Sequence, residues 1–315
     1  MPDRPRVAIL AEGLFSRQAA KTAIGAIRYA PYPVVAIVDS TRAGSDCALA
    51  IGVGNGIPIV ATIAEAAARG ATVLLVGTAA PGGRIPDGYR PILATALGAG
   101  LEVWSGLHER VLADPALAAA AARGGGRVRE LREPPADLPI GGHRARRSGA
   151  RVALTVGSDA AVGKMTVALE LLRGLERAGT RAAFVATGQT GIAIAGDGIC
   201  VDAVVADFVA GAAERMVCDA AESADWVVVE GQGSLTHPGF SGVTLGLLHG
   251  SAPDILVLCH DASRSDVKGF PGLPIRPLRE LVTLYEAAAA WARPPGTRVP
   301  VVAIALNTAA LDGEA

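Results

Sequence analysis

Lysine is almost missing from this chain of 315 residues: Lys21, Lys164 and Lys268 stand against twenty-six arginines. Acidic residues number 30 and the net charge is -1, and aromatics make up only 4%. That composition offers neither the positive excess nor the interleaved basic and aromatic surface that nucleic acid requires, so no nucleic-acid partner is expected. The four cysteines, Cys47, Cys200, Cys218 and Cys259, form no C-x-x-C pair, which argues against a zinc knuckle or a disulfide framework and fits a reduced cytoplasmic setting. No apolar run is long enough to span a bilayer, and the one in MPDRPRVAILAEG is too short for a signal peptide, so neither membrane insertion nor export is expected. A G-x-G-x-x-G fingerprint is missing too. Only Gly13 follows the first apolar run, which speaks against nicotinamide or flavin binding.

What is present is apolar and glycine-rich: half the residues are hydrophobic and 39 are glycine, enough for two α/β domains with substantial cores. The first half alternates short apolar runs with helical stretches. Strands are expected at 6–10, 34–38, 73–76 and from Leu101, and helices near 16–30, 63–69 and 91–99, the pattern of a parallel sheet with crossover helices. Asp39 ends the second strand, where a dinucleotide-binding fold often carries a ribose-binding acid. Ser105 and His108 follow the strand from Leu101, without a nucleophile-elbow sequence around the serine. From 133 to 150 the composition turns to Pro, Gly and Arg, which sustains neither a helix nor a central strand. The expected organisation is therefore a Rossmann-like domain over 1–135, a linker over 136–150 and a second α/β domain over 151–315.

The second domain opens with the most specific signal in the chain. An apolar run, 152–156, leads into GSDAAVGKMT and then a helix to Arg177, the strand, glycine loop, helix order of a phosphate cradle. Glycines let backbone N–H groups curl around anionic oxygens, the helix N-terminus adds partial positive charge, and a lysine reaches the outer phosphates. Gly157, Ser158, Asp159, Gly163, Lys164, Met165 and Thr166 are the candidate phosphate-binding residues. In a chain that otherwise uses arginine, the lysine beside the loop glycine marks a place where a flexible point charge is wanted. Five residues rather than four separate the glycines, and Met165 stands where a magnesium-binding hydroxyl is usual, with Thr166 as its substitute.

Further chemistry-bearing residues follow at predicted strand ends, where open α/β sheets bind ligands. ATGQTGIAIA places Gln189 and Thr190 after a buried strand, as substrate contacts. Asp207 and Glu214 are seven apart, so on one helix they share a face; one of them points to the site or both are solvated. WVVVEGQGS ends a fully apolar strand in Glu230, a costly place for a carboxylate unless it is paired, ligated or protonated, and Glu230 is therefore a metal ligand or a general base. His237, His260, Asp261 and Arg264 lie near further strand ends, the histidines able to move a proton and the arginine to clamp a carboxylate.

Taken together, GSDAAVGKMT, ATGQTGIAIAGDGI, VEGQGSLTHPGFSGVTLGLLHGSAPD and LCHDASR resemble the D-glutamate N-acetyltransferase family, and the resemblance spans both halves. It implies a Rossmann-like N-terminal domain followed by a P-loop NTPase-like domain similar to dethiobiotin synthetase, whose loop also has five residues between its glycines. It implies transfer of an acetyl group from acetyl-CoA to the amino group of D-glutamate or a similar D-amino acid. On that reading the loop holds the phosphates of CoA, Glu230 or His237 is the base, N–H groups near 231–234 stabilise the oxyanion, Arg264 clamps a carboxylate, and His260, Gln189 and Thr190 contact the substrate. Asn307 stands where phosphate-loop proteins read a base. The main alternative is an ATP- and Mg-dependent ligase or kinase acting on a small carboxylic acid, with Thr166, Asp207 and Glu230 around the metal; Met165 argues against it. A non-catalytic nucleotide-binding regulator is the second alternative. A homodimer or higher homo-oligomer is the expected state.

Overall fold

The computed structural model describes residues 4–78 and 81–311; the outer limits of the two expected domains, 1 and 315, lie outside the described residues. The chain divides into two compact units after Glu133, with Ile192–Gly196 counted in the first.

The first unit runs β1 (Val7–Leu10), α1 (Lys21–Tyr29), β2 (Val34–Val38), α2 (Cys47–Ile51), β3 (Ile59–Val60), α3 (Ile63–Ala68), β4 (Val73–Val76), α4 (Tyr89–Gly98), β5 (Glu102–Ser105), α5 (Pro115–Gly124) and β6 (Arg127–Glu130). Its six strands are all parallel, in the order β3-β2-β1-β4-β5-β6. Strands β1 and β4 are buried at every residue because helices cover both faces of a parallel sheet. Helix α1 starts at Lys21 rather than near Ser16, because the Ser16 hydroxyl accepts from Ala19 N and its carbonyl from Ala20 N, closing a local turn that competes with helix. Helix α5 has conventional ends, Asp114 accepting from Ala116 N, Pro115 in the first turn and Gly125 left-handed at the C-cap.

The second unit contains β7 (Arg151–Gly157), α6 (Lys164–Arg177), β8 (Ala182–Val185), the start of α7 (Gln189–Ala195), α8 (Val209–Ala221), β9 (Trp226–Val229), α9 (Ser241–Ser251), β10 (Ile255–Asp261), α10 (Leu278–Ala290) and β11 (Val301–Asn307). The sheet is parallel in the order β11-β10-β7-β9-β8. Central β7 is buried from Val152 onward, and Leu154, Val229, Leu256 and Tyr285 contribute to one apolar cluster. The stretch expected as a linker belongs to this unit and is tied to α8. Glu214, 1% exposed, accepts from Gly142 N, Arg144 N and Arg144 Nε. That anchor places Glu214 on neither of the expected faces: it is not solvated, and it holds the 142–144 backbone instead of a ligand.

Candidate functional site at the phosphate loop

Strand β7 delivers its carboxyl end into Ser158–Gly163, and α6 begins at Lys164 with no side chain capping its first turn. The N–H groups at the start of this 14-residue helix are therefore left for an anion. Two positions require glycine for different reasons. Gly163 has φ +107°, in the region glycine tolerates and other residues avoid. A β-carbon at Gly157 would lie 2.9 Å from both Asp159 O and Lys164 Nζ.

Lys164 is buried and donates to Asp159 O at 2.8 Å. Burial lowers its pKa to about 8 against the favourable fields of Asp159 and Glu230. Glu230, directly after β9, is also buried; its Oε2 accepts from Thr187 N at 3.1 Å and Gly188 N at 3.3 Å. Desolvation raises its carboxyl to about 7, opposed by those N–H donors and by Lys164. The chain after β8 passes close over this carboxylate, since a β-carbon at Gly191 would come within 2.3 Å of Glu230 Oε2. Gln189 and Thr190, at the start of α7, lie in the chain between Gly188 and Gly191, the two glycines that approach Glu230.

The side chains of the loop bind the protein itself. Asp159, fully buried, accepts from Ala160 N, from Arg264 Nη1 at 2.7 Å and from Lys268 N at 2.8 Å. Arg264 also donates to Ala160 O and faces Asp261 at 3.5 Å, so its guanidinium already holds the loop. Ser158 Oγ lies 2.9 Å from Nδ1 of part-buried His260. Tyr285, on α10, donates to Gly157 O at 2.7 Å and accepts from Leu235 N, buttressing the loop from beneath.

His237 is placed differently from His260. It is 3% exposed, stacked on Phe240 and edge-on to Phe270, with Nε2 at 3.2 Å from Lys268 O and Nδ1 accepting from Gly239 N. Both ring nitrogens are engaged, so it acts as a strut between the 237–240 turn and the loop around Lys268. Asp207 is exposed on a short 3-10 turn before α8 and does not share a helical face with Glu214. Among the described residues no three His, Cys, Asp or Glu side chains converge on a metal position. Met165 and Thr166 occupy the first turn of α6, part-exposed. Asn307 ends β11, its Oδ1 accepting from Ala309 N.

In the first unit, Asp39 turns inward. Its Oδ1 accepts from Gly13 N, Thr41 N and Thr41 Oγ1, capping the turn that follows β2. Ser105 is buried and accepts from Leu107 N, whereas His108 is exposed, so the two do not form a catalytic pair.

Sequence reasoning missed Thr155, Thr187, Gln232 and Tyr285. Thr155 was the detectable one, a polar residue inside an apolar strand; its Oγ1 accepts from Gly231 N at 2.9 Å and so fixes the turn after β9 against β7. Tyr285 reads as an ordinary core position of an amphipathic helix.

Residues 139–315 match the family described as a domain of unknown function (DUF1611_C), P-loop domain, and residues 40–134 match its Rossmann-like N-terminal counterpart (DUF1611_N). The chain belongs to the DUF1611 family. It is 38% identical over 94% of its length, and 84% of the relative's, to a protein of Tritonibacter scottomollicae named D-glutamate N-acetyltransferase. A Pseudoalteromonas protein of the same name is 39% identical over 80% of this chain and 74% of that one. A crystal structure of a DUF1611 family protein from Anabaena variabilis ATCC 29413 superposes with a TM-score of 0.91 at 42% identity, over 98% of this chain and 90% of that one.

Proposed function

We propose that this protein transfers an acetyl group from acetyl-CoA to the amino group of D-glutamate, and that the phosphate loop holds the diphosphate of the donor. The observation that carries this reading is the loop itself: uncapped helix N–H groups, a glycine whose β-carbon would crowd Lys164, and the chain's one buried lysine at its head. These features suit a bound polyphosphate and need no phosphoryl transfer, which agrees with Met165 at the usual hydroxyl position. The relatives' shared name supplies the acetyl transfer and the D-glutamate acceptor. A groove of about 750 Å³ in the second unit, lined in part by Leu235, Val267, Leu273 and Leu284, gives apolar room of the size small ligands use.

The reaction asks for two things besides binding. The substrate ammonium has to lose a proton before its nitrogen attacks the thioester carbonyl, and the resulting oxyanion has to be met by donors. Among the described residues no hydrogen bond engages the N–H groups of Gln232, Gly233 and Ser234, whereas Gly231 N is held by Thr155. Those three are the donors this reading assigns to the oxyanion. We also propose that the protein is a homodimer or higher homo-oligomer, testable by light scattering.

Isothermal titration tests the donor. Wild-type protein is expected to bind acetyl-CoA and to release CoA thiol only when D-glutamate is added, while Lys164→Ala keeps its cooperative melting transition and loses at least ten-fold in acetyl-CoA affinity. Magnesium-dependent binding of ATP with acetyl-CoA silent would overturn the assignment.

A further inference from the structure

We propose that His260 is the catalytic base of the acetyl transfer, with Ser158 of the phosphate loop holding its ring so that the unprotonated Nε2 meets the substrate amine. This rests on the acetyltransferase reading above and names the group that reading leaves open.

Three groups near the loop have the chemistry of a base for the substrate ammonium: Glu230, His237 and His260. Glu230 is buried, its Oε2 takes two backbone N–H groups, and Gly188 and Gly191 close over it, leaving an ammonium no approach. His237 has both nitrogens engaged and both flanks covered by phenylalanine rings. His260 differs on each count. It is the penultimate residue of β10, the strand beside β7, at the position after Cys259, which pairs with Gly157 at the start of the loop. It is part-buried, and its ring's one hydrogen bond among the described residues is Nδ1 to Ser158 Oγ, which leaves Nε2 unengaged. When the serine oxygen accepts from Nδ1–H, the lone pair lies on Nε2. Burial and the neighbouring Arg264 disfavour the imidazolium, with Asp261 opposing them, so the ring's pKa lies below its ordinary value. That favours the neutral ring, whose basic nitrogen is Nε2 when Ser158 is the acceptor. Asp261 is not a triad partner, because its Oδ1 accepts from Ser263 N and Oγ and its other oxygen faces Arg264.

The proton balance closes on one group. Nε2 takes a proton from the ammonium and passes it to solvent. The free amine then forms the N–C bond to the thioester carbonyl, whose π electrons move to oxygen. Nε2 takes the second proton from the now positive nitrogen; the C–S bond breaks with its electron pair leaving on sulfur as the carbonyl re-forms, and the imidazolium returns that proton to the thiolate. Amide and CoA thiol are formed, with one proton released.

The test is steady-state thiol release with D-glutamate for the wild type and His260→Gln, alongside acetyl-CoA titration of both. His260→Gln is expected to lower kcat by about 10²–10⁴-fold while keeping acetyl-CoA affinity within about three-fold. The wild-type kcat is expected to fall on acidification through an inflection below about 6.5; that limb should vanish in the variant, and added imidazole should restore part of the rate. Retention of more than a third of kcat, or of the acidic limb, overturns the assignment, as does a rate loss matched by an equal loss of acetyl-CoA affinity without imidazole rescue. A wild-type protein that releases no thiol sinks the acetyltransferase reading instead.

Discussion

At the residue scale, the site holds a buried base at the head of the loop and a buried acid after β9, and their pKa values have moved toward each other. Lys164 falls to about 8 and Glu230 rises to about 7, in both cases chiefly through desolvation. For Glu230 the native state binds its proton more tightly than the unfolded chain, whose carboxyl titrates near 4.5. Its ionisation therefore costs no native stability below about pH 4.5 and costs progressively more as pH rises to about 7. Glu230→Gln removes that dependence. Relative to wild type, the variant is expected to gain on the order of 1–3 kcal/mol between pH 5 and pH 7.5, read as the change in the difference of their denaturation midpoints. An equal difference at both pH values would mean that Glu230 is not desolvated as described.

At the element scale, what could be read in advance was what is local in the chain. The phosphate cradle is legible because strand, glycines, lysine and helix are contiguous, and Glu230 because a carboxylate terminating an apolar strand is conspicuous within five residues. The duties of the loop's side chains were not legible. Ser158 and Asp159 look like ligand contacts until β10 is placed beside β7, which brings His260, Arg264 and Lys268, more than a hundred residues away, onto them. Arg264 as a substrate clamp and His237 as a base were reasonable from residue type, but pairing decides such roles. Strands as short as β3 or as polar as β6 lack the apolar alternation that announces a strand. The 134–150 stretch reads as a loose connection by composition, and its anchor is a buried glutamate 70 residues on. Glu214→Ala frees Gly142 N, Arg144 N and the Arg144 side chain together, and is expected to cost about 2–3 kcal/mol. Limited trypsin digestion should then cut at Arg144, Arg146 or Arg147 under conditions in which the wild type is intact; unchanged resistance would show that the segment is held by other contacts.

At the scale of the whole molecule, two all-parallel sheets depend on contacts between distant parts of the chain. No helix of the described residues is long and apolar enough to cross a membrane. In the second sheet the strand encoded first, β7, has β9 on one side and β10 on the other. A chain ending at Ala252 would leave β7 as an edge with half its ladder unpaired and Ser158 and Asp159 without His260, Arg264 or Lys268. Such a fragment is expected to bind acetyl-CoA at least a hundred-fold more weakly than the full chain and to lack a sharp melting transition; tight binding by it would show that the loop is shaped by β7 and α6 alone. The same strand order bears on synthesis. On the ribosome the GSDAAVGKMT segment emerges 102 to 109 residues ahead of the residues that fix its side chains, so a nascent chain carries the sequence of a phosphate site long before its shape. An interrupted translation product would therefore not compete with finished enzyme for its donor, and chaperone demand should fall on the interval between the emergence of β7 and that of β10.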